Sequence, residues 1–256
     1  MRLLAMAYSL ICYFVGVSAL IALILFIGDL LLPVIINSAS PVSPELPVFG
    51  ALIANTVLIM LWGLQHSIMA DTRFKAIWTR FVPPAIERST FLLFVALATV
   101  ILVALWSPIP IILWDVSDSV LGTVLLAGFF FGWGIVLFAS FLINHFQLFG
   151  LEQAYRLLTQ TQSKKAIFVT PFLYRLVRHP MMTGVLISLW CAPTMSVGRL
   201  LFNAVMTTYI VLGTRHEEET LIADLGEEYE AYRETTPMLV PKFAGNRPSL
   251  VDTSIN

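Results

Sequence analysis

Four stretches of this chain carry no charged residue and are long enough to cross a bilayer: Leu3–Ile27, Val48–Leu64, Thr90–Trp106 and Val120–Ile143. A spanning helix needs about 20 apolar residues, with about 17 as the lower limit. In hydrocarbon the backbone must satisfy its own hydrogen bonds, which leaves the helix as the form open to such runs. The second run is the shortest for its task, and the third extends readily at its start. Composition agrees: 58% of the 256 residues are hydrophobic and 12% charged, against about 25% charged in soluble domains. The net charge of -1 gives no basic field for nucleic acid. Cys12 and Cys191 both fall in apolar runs, where they read as small hydrophobes, not as a disulfide or a metal site. The first run is too long for a signal-peptide core and lacks a small-residue cleavage site, so a retained helix is expected.

A fifth apolar stretch, Met181–Gly213, would be about 50 Å long as one helix, against a hydrocarbon core of about 30 Å. Pro193 and Ser196-Val197-Gly198-Arg199 interrupt its middle. It reads as a helix–turn–helix hairpin with two short arms of about 14 residues each, and whether they fully cross stays open. The basic residues support this layout. With the N-terminus inside, Arg2, Arg73, Lys75, Arg80, Arg88, Arg156, Lys164, Lys165, Arg175, Arg178, Arg215, Arg233, Lys242 and Arg247 all fall on the cytoplasmic side, 14 of the 15 Lys and Arg residues. Only Arg199, at the hairpin turn, falls outside or within the membrane. That asymmetry predicts cytoplasmic termini. The expected fold is an all-α integral membrane protein of one domain, residues 1–256. It has four spans, a C-terminal hairpin, a cytoplasmic amphipathic helix over 214–234 and a loose tail from 246 to 256. Neither repeats nor low-complexity tracts occur, and nothing in the chain specifies an oligomeric state.

Two polar clusters lie at the feet of the hairpin. The first is Tyr174-Arg175-Leu176-Val177-Arg178-His179-Pro180. Proline pushes the residue before it out of helical geometry and itself suits a first helical turn, so Arg178 and His179 precede a helix start. Free N–H groups there favour an anion, and Arg178 adds bidentate contacts to a carboxylate. Gly184, one turn in, lets a ligand or a neighbouring helix approach closely. The bland alternative makes Arg178 and His179 boundary markers, with Arg178 snorkelling to lipid phosphate. The second cluster is His216-Glu217-Glu218-Glu219-Thr220-Leu221, followed by Gly226, Tyr229 and Tyr232. Leu221, Leu225, Tyr229 and Tyr232 share a helical face, and Glu217 and Glu218 precede Leu221 by four and three residues, so both can point toward it. Carboxylates beside an Arg-His pair suit ribose hydroxyls or an ammonium group. The plain alternative is a surface helix whose acids pair with Arg215 and Arg233.

Together, Arg178-His179-Pro180-Met181-Met182-Thr183-Gly184, the hairpin, Glu217-Glu218-Glu219-Thr220-Leu221, Gly226, Tyr229, Tyr232 and a late Pro237 or Pro241 resemble the isoprenylcysteine carboxyl methyltransferase superfamily, which includes phospholipid methyltransferases and NnrU-type proteins. Many members carry tyrosine where this chain has Met182. Leu64-Gln65-His66-Ser67-Ile68-Met69-Ala70, Glu87-Arg88-Ser89-Thr90 and Asn144-His145-Phe146-Gln147-Leu148-Phe149-Gly150-Leu151 extend the likeness, from about residue 47 to 241, to the bacterial methanethiol S-methyltransferase family. The resemblance implies methyl transfer from S-adenosylmethionine to methanethiol, a small volatile thiol, at the cytoplasmic side of a bacterial inner membrane. It assigns donor binding to Tyr174, Arg178, His179, Pro180, Met182, Gly184, Glu217, Glu218, Tyr229 and Tyr232. Acceptors of other kinds (a phospholipid, a prenylated cysteine, another small thiol) and a non-catalytic NnrU-like role stay open.

A thiol acceptor reacts as its thiolate, and His is the natural base near neutral pH. Of His66, His145, His179 and His216, the first two end apolar spans and are the candidates for that base; the donor's sulfonium also favours an adjacent thiolate by charge, so a reaction without a base stays open. All four are expected to face one cavity, with His179 nearer the donor. No two have the i, i+4 spacing of metal ligands, so no metal is expected.

Overall fold

The computed structural model describes residues 1–30, 35–162 and 169–242. Lys164, Lys165, Arg247 and the 246–256 tail lie outside them. Among the described residues, five helices are long and apolar enough to cross a membrane: α1 (Arg2–Gly28), α2 (Val48–Ala70), α4 (Pro84–Leu105), α5 (Val120–Ile143) and α9 (Val197–Leu225). Between them lie the short helices α3 (Thr72–Trp78), α6 (His145–Leu148), α7 (Leu151–Thr159) and α8 (Pro180–Trp190), and α10 (Glu227–Thr235) follows. The chain is an all-α integral membrane protein.

Local chemistry sets the helix ends. The Asp71 carboxylate caps α3 by accepting from the Arg73 and Phe74 amides, and Ser119 caps α5 through the Gly122 amide. Pro84 and Pro180 open α4 and α8, where a missing N–H costs nothing. The packing inverts the soluble pattern. Large apolar side chains such as Phe14, Phe49, Met60, Phe131 and Phe141 point outward, while α1 turns Ser9, Cys12, Gly16 and Ala19 inward. Small residues let helix backbones approach without help from a hydrophobic driving force. The clearest case is the α5–α8 crossing: a Cβ on Gly132 or Gly184 would lie 2.5 Å from the other's carbonyl oxygen. An apolar cluster of Phe26, Ile36, Ile59, Trp106, Phe129, Leu189 and Phe202 joins the helices near their other ends. Cys12 and Cys191 are free thiols.

Several expectations are corrected. The hairpin arms are unequal: α8 has 11 residues, whereas α9 has 29 and runs about 44 Å without a break. No separate amphipathic helix begins at 214, because the helical hydrogen bonds continue through Gly213 and end at Gly226, where φ is 60°. The 214–234 stretch is therefore the last turns of α9 plus α10. The second span runs to Ala70, so His66 lies inside α2 and does not end it. An unexpected two-stranded ladder pairs β1 (Ile112–Asp115) with β2 (Thr194–Ser196), antiparallel, beside the α8–α9 turn. Arg199 is buried and lies 3.1 Å from Asp29 at the end of α1, with Nη1 donating to the Thr194 carbonyl at 2.6 Å. This buried basic residue thus carries its own counter-ion.

Candidate active site

The Pro180 start of α8 and the Glu217-Glu218 turn of α9 form one corner. Glu218 accepts from Arg178 in a forked pair, Nε–Oε1 at 2.6 Å and Nη2–Oε2 at 3.0 Å, and meets His179 Nε2 at 3.1 Å. Arg178 Nη1 donates to the Arg233 carbonyl at 3.0 Å and to the Thr236 carbonyl. The Arg178 and Glu218 side chains are only 8% and 7% exposed, so the pair is desolvated. Removing one partner of such a pair costs about 3–5 kcal/mol, because the other is left buried and charged. The segment after α10 closes over the corner. The carbonyls of Pro237 and Met238 accept from the Arg178 and His179 amides at 2.9 and 3.1 Å, and Thr183 Oγ1 donates to the Leu239 carbonyl at 2.7 Å. The amides expected to be free for an anion are therefore taken, leaving those of Met181 and Met182 to open the α8 ladder.

Glu217 differs from Glu218. Its side chain is 56% exposed, and its nearest basic group is His179 Nδ1 at 3.7 Å. Tyr174 lies close enough for the Glu217 charge, after burial, to push its phenol up. Burial and then the Glu218 charge push Tyr229 up to about 12, and burial and then Tyr229 raise Tyr232. All three phenols therefore stay protonated at neutral pH. The Tyr232 hydroxyl donates to the Tyr174 carbonyl, tying α10 to the loop before α8. Gly184 is filled by α5, so of the two close approaches expected there the helix is the one present. Met182 packs on the apolar core.

The four histidines do not share one set of neighbours. His66 stacks on Trp62 (5.6 Å between centroids), meets the edges of Phe91 and Tyr209, and places Nδ1 3.2 Å from the Tyr209 hydroxyl. That hydroxyl lies 3.0 Å from Ser67 Oγ. Gly63 makes room: a Cβ there would sit 2.9 Å from the Tyr209 ring. Nε2 of His66 has no hydrogen-bond partner among the described residues. His145 is buried between Phe141 at 4.3 Å and Phe149 at 4.6 Å, on the other side of α4. Both its ring nitrogens are committed. Ser140 Oγ donates to the Leu137 carbonyl, so it accepts from Nδ1–H at 2.9 Å, and Nε2 accepts from the Tyr13 hydroxyl at 3.0 Å. Burial holds the His145 pKa below its ordinary value. His216 is exposed and pairs loosely with Glu219 at 3.5 Å.

One face of α9 links the corner to His66. Tyr209, Gly213 and Glu217 fall at i, i+4 and i+8, hence along one stripe. A side chain at Gly213 would meet nothing within 4 Å. The α9 surface at Gly213 is therefore uncovered, and Tyr209 and Glu217 on either side of it are about 12 Å apart along the axis.

Sequence reasoning did not single out Tyr13, Tyr209, Ser67, Thr183 or the strap at Pro237–Leu239 as parts of these groups. A tyrosine inside an apolar run is the one signal that marks Tyr13 and Tyr209, since a buried phenol seeks a hydrogen-bond partner.

This membrane scaffold, with its polar corner and its imidazole set among aromatic rings, has relatives among known proteins. The chain is 40% identical to a methanethiol S-methyltransferase of a Pseudomonas strain, over 94% of this chain and 91% of that one. It is 39% identical to the methanethiol S-methyltransferase of Crocosphaera subtropica, over 96% of this chain and 94% of the other. It is also 39% identical to that of Mycobacterium tuberculosis, over 94% and 97% of the two chains. No protein-family profile matches the sequence, and no solved structure does. The chain belongs to the methanethiol S-methyltransferase family.

Proposed function

We propose that this protein transfers a methyl group from S-adenosylmethionine to methanethiol, releasing dimethyl sulfide and S-adenosylhomocysteine. The reaction takes place at the cytoplasmic side of a bacterial inner membrane, with both termini cytoplasmic. Family membership supports the acceptor, and the Lys and Arg distribution supports the orientation. The observation that carries the reading is the α9 stripe, which sets an uncommitted imidazole and an exposed carboxylate at opposite ends of the open space over Gly213.

The donor is a sulfonium with an amino-acid arm and a nucleoside. Glu217 suits its ammonium or ribose hydroxyls, and Tyr174 adds an O–H and a ring face. Pro180, Met182, Gly184, Tyr229 and Tyr232 shape and brace the corner. Arg178, His179 and Glu218 hold one another and fix where Glu217 stands, a positioning task. Methanethiol reaches His66 through the apolar helices. In the tautomer whose Nδ1–H donates to the Tyr209 hydroxyl, His66 Nε2 carries a free lone pair. The thiol proton passes to that nitrogen. The sulfur pair forms the new C–S bond, and the donor sulfur keeps the electrons of the bond that breaks. His66 then releases its proton to water. His145, with both nitrogens engaged, serves the fold.

The test is headspace gas chromatography of purified protein given methanethiol and labelled S-adenosylmethionine. Labelled dimethyl sulfide is expected, and Glu217→Ala should raise the KM for the donor about tenfold. Methylation of added lipid in place of the thiol would overturn the acceptor.

A further inference from the structure

Arg88 stands beside the proposed acceptor site and has no role in the mechanism so far. It occupies the first turns of α4, with its guanidinium carbon 4.6 Å from the Phe91 ring centroid. His66 also borders that ring, 5.2 Å between centroids. Nε donates to the Leu148 carbonyl at 2.8 Å. Neither Nη group has an acceptor, and no carboxylate lies within 4 Å of the guanidinium, among the described residues. The charged or titratable groups near it are Lys75 from α3, Glu87 from α4 and His66 from α2; α6 contributes only the Leu148 carbonyl. The contrast with the other buried arginines is plain. Arg178 is forked on Glu218 and Arg199 is paired with Asp29. A half-buried guanidinium left without a carboxylate is available to an anion.

We propose that Arg88 is the cation against which the acceptor thiol ionises, its two Nη groups holding the thiolate sulfur next to His66 while the methyl group is transferred. This rests on the thiol reading above. The step is balanced as written there: the proton leaves for His66 Nε2, and Arg88 exchanges no proton, stabilising only the negative sulfur. A nearby opposite charge favours ionisation by about one to three pKa units. Arg88 eases removal of the proton from sulfur; as a like charge it also disfavours a protonated His66, so the imidazole passes its proton on to water and does not hold it.

The test compares wild-type protein with Arg88→Met and Arg88→Lys over pH 6 to 10, following dimethyl sulfide formation, with donor binding measured by calorimetry as a check on folding. Arg88→Met should lose about 10- to 100-fold in kcat/KM for methanethiol at neutral pH. The deficit should shrink as the pH rises toward the pKa of the thiol itself, with donor affinity unchanged. Arg88→Lys keeps the charge and should show the same convergence with a smaller deficit. A deficit equal at every pH in both variants would make Arg88 a brace for α6 and overturn the proposal. If Arg88→Met does not bind donor, the Arg88→Lys profile alone decides by the same criterion. Donor binding by the wild type with no dimethyl sulfide formed would instead overturn the acceptor reading on which this rests, leaving no thiolate for Arg88 to hold.

Discussion

His66 and His145 lie near the C-terminal ends of α2 and α5, both are enclosed by aromatic rings, and both touch a tyrosine from a distant span. The difference is in the nitrogens. Ser140 and Tyr13 engage both nitrogens of His145, and the donor direction at Ser140 fixes its tautomer. His66 is oriented through one nitrogen and keeps the other. A base needs an orienting partner on one side and a lone pair on the other. Burial and an aromatic enclosure alone do not make a catalytic histidine.

The largest expected effect breaks the comparison outright. His66→Asn should lower turnover about 100- to 10,000-fold with donor affinity retained, whereas His145→Phe should stay within a few-fold of wild type. Equal losses in headspace assays of the two variants would sink the distinction. A smaller effect tests the space between the base and the carboxylate. Gly213→Leu should place a side chain where nothing now stands and cut kcat/KM about tenfold or more, while the melting temperature changes little. Unchanged kinetics would mean the donor does not cross that face. The smallest effect concerns pH. The His145 pKa is held down in the folded state, so between its unfolded value of about 6.5 and its lower folded value the unfolded chain binds the extra proton. Stability contributed by neutral His145 is therefore present above that window and lost as pH falls through it. Thermal melts should decline on the acid side of about pH 6.5, and His145→Phe should make that decline shallower by up to one proton. An identical acid limb in the variant would remove His145 from the titration.

The spans were legible because apolar runs of this length have few alternatives, and the hairpin because Pro193 and Ser196 mark a turn. Its unequal arms were not. Gly213 and the polar run after it look like an end, yet a helix continues through one glycine at a cost of about 1 kcal/mol when neighbouring helices support it. The ladder of β1 and β2 is too short to leave a pattern. That the two polar clusters meet followed from placing both feet of the hairpin on one side; that Arg178 and Glu218 take each other as partners did not. That the pair saturates itself, leaving Glu217 as the outward carboxylate, did not follow: adjacent residues on a helix differ by about 100° in direction, and only packing selects which one is buried. The roles of His66 and His145 depend on Tyr209 and Tyr13, each more than a hundred residues away in sequence.

The brevity of α8 bears on where two immiscible reactants meet. Eleven helical residues reach about 16 Å, roughly half of the hydrocarbon thickness, and the extended residues of β2 complete that arm. Along that arm the helix covers only the half nearer Pro180, and extended chain covers the rest. Water-borne donor and lipid-dissolved gas then approach from opposite phases across a short gap, and neither has to travel far into the solvent of the other.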